Sequence, residues 1–117
     1  MLPPAVRIFV CTVPQDMRRS FDTLALVTQQ VLGEDPQSGA VFVFVGRRLK
    51  RIKLLWWDRS GYCLLYKRLH RALFRVPATP GAGPSIRIDA AALAQLLAGV
   101  PRDEKTRAPD EKTRARA

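Results

Sequence analysis

The chain is poor in the side chains that bind metals or form disulfides. Among its 117 residues there are two cysteines, Cys11 and Cys63, and one histidine, His70. A tetrahedral zinc site takes four ligands at short spacings, and these residues are too few and too far apart in the sequence. The sequence therefore predicts no metal, no other cofactor and no disulfide, and it favours both cysteines as reduced thiols in the core.

Long apolar runs are also missing. No stretch approaches the roughly 18 residues that a membrane span needs, and the first residues lack the basic, apolar and small-residue order of a secretory signal. We therefore expect no membrane partner and a cytoplasmic location, with association with the nucleoid if the protein binds DNA. Hydrophobic residues still make up 47% of the chain, which is enough for the core of one domain.

Acidic residues are scarce, which argues against metal-assisted phosphoryl transfer. Before the C-terminal tail, the acids are interpreted as helix caps at Asp16 and Asp89 or as turn residues at Glu34, Asp35 and Asp58. Only one further carboxylate remains there, whereas two-metal catalysis needs several that converge. No phosphate-binding loop motif and no recognisable pair of nucleophile and base occurs. We predict that the protein is not an enzyme and takes no small-molecule substrate.

Positive charge is in excess, and it is concentrated in one segment. Nearly all of the net charge of +10 comes from residues 47–75, where ten Lys and Arg accompany a single acid, Asp58. Trp and Tyr residues are interleaved with these cations. Such a basic and aromatic patch indicates a polyanionic partner. The alternative is a solvated face, and for each individual aromatic side chain we favour simple core packing.

Apolar periodicity predicts an N-terminal strand and a helix. Residues 7–13 contain a short β-branched run that is ended by Pro14. Residues 17–32 then place apolar side chains at intervals of three and four, which is typical of an amphipathic helix. Asp16 is predicted to cap the N-terminus of this helix, and Gly33 is predicted to end it.

The basic segment is predicted to belong to an antiparallel β meander. Its strands are residues 40–45, 52–57 and 62–67, joined by turns at 47–50 and 58–61. These strands alternate between two faces.

Pairing of Asp58 with Gly61, a residue able to take positive φ, fixes the register of the second hairpin. The apolar face that should meet the helix then carries Ile52, Leu54, Trp56, Cys63 and Leu65. The opposite face is predicted to be a half-exposed basic and aromatic surface of Lys53, Trp57, Tyr62 and Tyr66.

The C-terminal part is predicted to contain a strand, a short helix and a tail. A Pro- and Gly-rich linker at 77–84 precedes a short strand at 85–88, and Asp89 is predicted to cap a helix. Residues 67–74 are compatible with either a continued strand or a short helix. Residues 101–117 lose the apolar content, repeat DEKTRA twice and are interpreted as a disordered charged tail.

These elements predict an α+β fold for a single domain of residues 1–100. We expect a helix packed on a three-stranded antiparallel β meander, with an N-terminal strand, a short C-terminal helix and the charged tail.

Three stretches carry a family resemblance: DMRRSFDTLA, SGAVFVFVGRRLKRIKLLWWDRSGYCLLYKRL and IDAAALAQLLAGV. They resemble TnpB, the short accessory protein from the second open reading frame of the insertion-sequence-66 class of bacterial transposons. His70 and Ala72 stand where relatives usually carry Glu and Gly, and the DEKTRA tail has no counterpart in the pattern. The resemblance implies a role in DNA transposition beside a separate transposase, without an activity that can be carried over residue by residue.

The candidate site is the set of cations on the turn and strand ends of the meander. We predict DNA-phosphate contacts, at transposon ends or on non-specific duplex, from Arg47, Arg48, Lys50, Arg51, Lys53, Lys67, Arg68 and Arg71. Arg18 and Arg19 at the helix start could extend this patch, or they could simply be solvated. The alternative function is an adaptor that binds the transposase and makes no direct contact with DNA.

Overall fold

The computed structural model describes residues 6–81 and 83–101. The strands in this part of the chain are β1 (Ile8–Cys11), β2 (Val41–Val45), β3 (Arg51–Asp58), β4 (Gly61–Arg68), β5 (Ala72–Leu73), β6 (Ser85–Ile88) and β7 (Val100–Pro101). The helices are α1 (Phe21–Val27), which continues as a π-helical turn over Thr28–Leu32, and α2 (Ala90–Ala98).

The structure is mostly β, with a five-stranded mixed sheet in the order β4-β3-β2-β1-β6 and a second sheet of β5 and β7. In the larger sheet β1 runs parallel to β2, and the other neighbours are antiparallel. The predicted helix on a three-stranded antiparallel meander is therefore wrong as a fold. Strands β2, β3 and β4 do form such a meander, but β1 and β6 extend it through pairings between distant parts of the sequence. Local periodicity contains no signal for those pairings.

The hairpin of β3 and β4 has the predicted register. Asp58 pairs with Gly61, and Lys53 pairs with Tyr66. The positive φ in its two-residue loop, however, is at Arg59, with φ of 56°, rather than at the glycine. In tight hairpin loops the first central residue takes this left-handed conformation because it matches the twist of the strands.

The prediction of which sheet face meets the first helix is wrong. Helix α1 places Leu24 and Val27 against the face that includes Phe42 and Leu55, with Tyr62 packed at its margin. The opposite face, predicted to meet this helix, packs instead on the C-terminal part of the chain; its cluster includes Ile52, Leu54, Phe74, Leu93 and Leu96. Both faces of the sheet are covered, which explains why all five residues of β2 are buried.

Of the three predicted helix boundaries, those at Asp89 and Gly33 are confirmed and the one at Asp16 is wrong. The Asp89 side chain accepts a hydrogen bond from the Ala92 backbone N–H at 2.8 Å, as predicted for an N-cap. Asp16 does not cap α1, because the helix begins at Phe21 and its N-cap residue, Ser20, makes no side-chain cap bond. Gly33 ends the helical segment with φ of 69°, as predicted.

The remaining predictions concern the chain after β4. Residues 67–74 contain no helix; β4 runs to Arg68, and β5 follows after a short loop. The predicted strand at Ser85–Ile88 is present as β6. The predicted tail of residues 101–117 lies outside the described residues except for Pro101, so the division into a domain and a tail stays a prediction. None of the described helices is long and apolar enough to cross a membrane.

Candidate nucleic-acid interface

A groove of about 770 Å³ lies where β3 begins and β4 ends. Its lining comes from the loop before α1 (residues 14–18), the turn between β2 and β3 (residues 46–51) and the end of β4 with the residues after it (68–70). We call this feature the basic groove, because six of its lining residues are cations: Arg18, Arg47, Arg48, Lys50, Arg51 and Arg68. Asp16 is the one acid in the lining. Cations that are distant in the sequence therefore meet at one surface.

The turn between β2 and β3 is held by backbone hydrogen bonds. The Gly46 N–H donates to the Arg51 carbonyl at 2.9 Å, and the Leu49 N–H donates to the Gly46 carbonyl at 3.0 Å. The Leu69 N–H then donates to the Lys50 carbonyl at 2.8 Å, which joins the turn to the end of β4. Because the backbone makes these bonds, the turn does not depend on its basic side chains for its shape.

The loop before α1 closes the groove by packing against the start of the turn. The Gln15 N–H donates to the Val45 carbonyl at 3.0 Å, and Gln15 forms a parallel bridge with Gly46. A Cβ atom on Gly46 would lie 2.8 Å from Cγ of Met17, closer than side-chain atoms normally approach. The absence of a side chain at Gly46 therefore allows the loop to pass this close. The buried Gln15 side chain also accepts a hydrogen bond from Nη1 of Arg19 at 2.9 Å.

Asp16 and Arg18 form an ion pair inside the groove lining. Nη2 of Arg18 lies 2.7 Å from Oδ2 of Asp16, and Nε donates to Oδ1 at 3.0 Å. The side-chain hydrogen bond from Arg18 is the main reason that the pKa of Asp16 lies far below its ordinary value, and the same contact raises the pKa of Arg18. One of the groove cations is thus partly neutralised, and the other five have no acid in the lining to pair with.

The structure brings together five of the eight predicted DNA-binding residues: Arg47, Arg48, Lys50, Arg51 and Arg68 all line the basic groove. Arg71 is exposed close by but is not part of the lining. Nζ of Lys67 donates to the Leu97 carbonyl at 2.7 Å, which turns this side chain towards α2.

Lys53 differs from the other predicted site residues because it is buried, with 6% of its surface exposed. Its Nζ donates to the Arg19 carbonyl at 2.6 Å and lies 4.7 Å from the ring centroid of Tyr66. The ammonium group thus connects β3 to the residues just before α1. A DNA contact by Lys53 stays a prediction, but in this structure its ammonium group contacts the Arg19 carbonyl and the Tyr66 ring.

Sequence reasoning missed the loop of residues 14–17 and His70 as parts of the site, and it assigned Arg18 only as a possible extension. Arg18 lies two residues after Asp16, the predicted cap of α1. Whether Arg18 belongs to the helix or to the loop before it therefore depends on where α1 begins. The bridge between Gln15 and Gly46 brings the loop to the turn, and no local sequence pattern predicts a contact over that separation.

The aromatic residues of the hairpin lie away from the basic groove. Trp57 and Tyr62 stack edge to face, with ring centroids 4.9 Å apart, beside the tip of the hairpin. They stand six pairs along the hairpin from Arg51 and Arg68, a distance of about 20 Å at the usual rise of a strand. The groove lining contains no Trp, Tyr or Phe. Its chemistry therefore suits phosphates better than stacked bases.

The remaining candidates for a functional site are a metal centre and the two cysteines. Within residues 6–81 and 83–101 no group of three or more His, Cys, Asp and Glu side chains converges in a way that could hold a metal ion. Cys11 is buried and Cys63 is half-buried, and both are free thiols. Burial raises the pKa of the Cys11 thiol, which donates to the Val13 carbonyl at 3.3 Å.

Comparison with known proteins agrees with the family resemblance of the sequence. The profile of the family described as "IS66 Orf2 like protein" matches residues 6–107. The protein "Uncharacterized protein y4hO" of Sinorhizobium fredii (strain NBRC 101917 / NGR234) is 42% identical over 102 residues, which cover 86% of this chain and 87% of the relative. "Uncharacterized protein y4jC" of the same strain is 38% identical over 72 residues, or 62% of each chain. No solved structure gives a significant match.

Proposed function

The chain belongs to the IS66 Orf2-like family, as its sequence resemblance indicated, and from this premise we propose that it is a non-catalytic accessory protein of transposition that binds DNA through the basic groove. The family associates the chain with an insertion sequence and with the transposase that such an element encodes. It gives no mechanism. The mechanism that we propose is contact with the DNA backbone, made in the cytoplasm at the nucleoid.

One observation carries this proposal: cations from three separate segments line one groove that contains a single acid. Bringing like charges together costs free energy through mutual repulsion, and a bound polyanion removes that cost. Lys and Arg side chains that neutralise phosphates also release condensed counterions, which is the main source of non-specific affinity for DNA. A groove of this composition is therefore well suited to a phosphate backbone.

The position of the aromatic residues supports backbone contact rather than base recognition. A protein that holds single strands usually combines cations with aromatic rings on which bases stack. In the basic groove the cations occur without such rings, and the Trp57–Tyr62 pair packs on itself at the other end of the hairpin. We propose that the preferred ligand is duplex DNA and that its sequence matters little.

The second candidate is the adaptor, in which the same cations bind acidic side chains of a transposase. The exposed side chains of Arg47, Arg48 and Arg51 are as compatible with the adaptor as with DNA binding, because Arg is common at the centres of protein interfaces. The two functions predict different responses to salt. Five cations that have no acid partner in the groove lining, if each contacts one phosphate, should make log affinity fall against log salt with a slope of about −4.5.

The test is a fluorescence titration of the purified protein with transposon-end duplex and with unrelated duplex of equal length, at several salt concentrations. We expect similar affinities for the two duplexes and the steep slope. The variant Arg47→Ser/Arg48→Ser should reduce the slope to about −2.7. Its matched control is Arg75→Ser/Arg87→Ser, which removes the same charge from exposed residues outside the groove and should leave the slope almost unchanged.

Lack of binding to either duplex at low salt would exclude the DNA function. Binding to the transposase and to neither duplex, with a slope much shallower than about −4.5, would support the adaptor. Equal losses in the groove variant and in its control would show that total charge, rather than the basic groove, determines the affinity.

A further inference from the structure

Strand β4 is a long strand at the edge of the five-stranded sheet. It has eight residues, and within the part of the chain that the structure describes it pairs with a neighbour, β3, along one side only. The strand at the opposite edge, β6, has four residues. A long edge strand with an open row of backbone donors and acceptors is a template for another strand, and proteins usually protect such edges.

The backbone groups on the open side of β4 can be assigned from the hairpin. The pair that closes a two-residue loop is hydrogen-bonded, so Gly61 and every second residue after it turn their backbone groups towards β3. The bond from the Leu69 N–H to the Lys50 carbonyl fits this alternation. The outward groups therefore belong to Tyr62, Leu64, Tyr66 and Arg68.

The side chains of β4 are half-buried in its first half and exposed in its second half. Leu65 is 39% exposed and Tyr66 is 50% exposed. The strand contains no proline, and its two charged residues, Lys67 and Arg68, both lie at its C-terminal end. Lys67 is turned towards α2 by its bond to the Leu97 carbonyl, and Arg68 is at the very end. An exposed apolar centre with charge at one end is the opposite of a protected edge.

We propose that β4 pairs in antiparallel fashion with β4 of a second copy of this chain, about a two-fold axis at Leu65. Directly opposed residues of an antiparallel pair lie on the same sheet face, so the two-fold axis must pass through a residue and not between two. With the axis at Leu65, this residue faces its own copy, Leu64 faces Tyr66, Cys63 faces Lys67, and Tyr62 faces Arg68.

This register is self-complementary. It covers the two most exposed apolar side chains of the strand, and it sets no cation opposite another cation. Each Arg68 guanidinium meets a Tyr62 ring of the second copy, a favourable cation–aromatic pair. An axis at Lys67 would instead oppose two ammonium groups, which destabilises strand pairing. The outward groups of Leu64 and Tyr66 would make the hydrogen bonds beside the axis.

The pairing also brings each hairpin tip next to the other copy's site. Arg68 lines the basic groove, so Tyr62 of the second copy, with Trp57 stacked on it, would lie at the groove rim. This consequence rests on the proposed function, whereas the pairing itself does not.

The first test is the molar mass of nuclease-treated protein, measured by light scattering after size exclusion over a range of concentrations. We expect a dimer for the native chain, and Leu65→Lys should raise its dissociation constant at least about tenfold, because two ammonium groups then meet at the axis. The matched control is Leu26→Lys: Leu26 is also exposed, at 46%, but it lies on α1. This control should remain dimeric, and both variants should keep the far-UV circular dichroism spectrum of the folded native chain. A native protein that stays monomeric at high concentration, or equal weakening by both variants, would overturn the proposal.

The second test is oxidative cross-linking in a Cys63→Ser background. The pair at the axis is not hydrogen-bonded, so its Cα atoms should be about 4.5 Å apart, within the range of a disulfide. Leu65→Cys should therefore form a covalent dimer under mild oxidation, and Leu26→Cys should not. A dimer that leaves Leu65→Cys uncross-linked would overturn this interface. DNA is absent from both tests, so their outcome is independent of whether the groove binds phosphates.

Discussion

Replacing Lys53 with methionine tests the role of the one buried cation in the hairpin. Methionine keeps a similar length and apolar packing but removes the ammonium group that binds the Arg19 carbonyl at 2.6 Å. A hydrogen bond with a charged partner contributes about 1.5–3 kcal/mol, and a cation over an aromatic ring adds about 0.5–1 kcal/mol. The variant also avoids the cost of removing an ammonium group from water, which offsets part of the loss. We therefore expect a loss of about 1–3 kcal/mol in the free energy of unfolding.

The DNA titration then separates structural from direct roles of Lys53. If its ammonium stays bound to Arg19, the variant should keep the same slope of log affinity against log salt, and only the affinity should fall, because the loop that lines the groove is less well held. If Lys53 contacts a phosphate, the slope should become less steep by about 0.9. Denaturant unfolding and the salt titration are measured on the same samples. Unchanged stability together with a reduced slope would refute the structural role.

Three further changes examine the groove and the helix caps. Gly46→Ala should destabilise the protein by about 1–3 kcal/mol in denaturant unfolding through contact with the loop before α1, whereas Gly61→Ala, where an added Cβ meets nothing within 4 Å, should have a small effect. Asp16→Asn should release Arg18 for a phosphate and make the salt slope steeper by about 0.9. The lowered pKa of Asp16 means that the ion pair is complete above the ordinary carboxyl pKa and is lost only in strong acid. The change in slope should therefore be the same from pH 6 to pH 8. Asp89→Ala should lower the free energy of unfolding by about 1 kcal/mol through loss of the cap of α2. Glu34→Ala, which removes a carboxylate beyond the C-terminus of the first helical segment, should not lower it.

The parts of the fold that sequence predicted are those with local causes. The register of the second hairpin follows from one turn, and the start of α2 follows from one capping side chain, Asp89. The parts that it missed depend on pairings over long separations. Whether VFVFV in β2 is the first strand of a meander or the centre of a mixed sheet depends on β1, and its apolar side chains on both faces were the available sign that both are covered.

The same distinction applies to the site. The charges of residues 47–51 are visible in the sequence, and the structure places them in one groove with Arg68 because strand register determines which ends meet. Lys53 belongs to the same run of cations, but it lies two residues inside β3 and on the face that α1 covers. A charge count treats these lysines and arginines as equal, and only the packing of α1 distinguishes the buried one.

Binding and folding rely on different atoms of the same hairpin. The groove turn is closed by backbone bonds of Gly46 and Leu69, and the apolar side chains of β3 provide the packing on both faces. The cations of the groove turn contribute neither, and their mutual repulsion opposes the compact state. A ligand that binds only the folded chain stabilises it by mass action. If the basic groove binds DNA as we propose, the protein should be least stable when the groove is empty, and DNA should raise its free energy of unfolding.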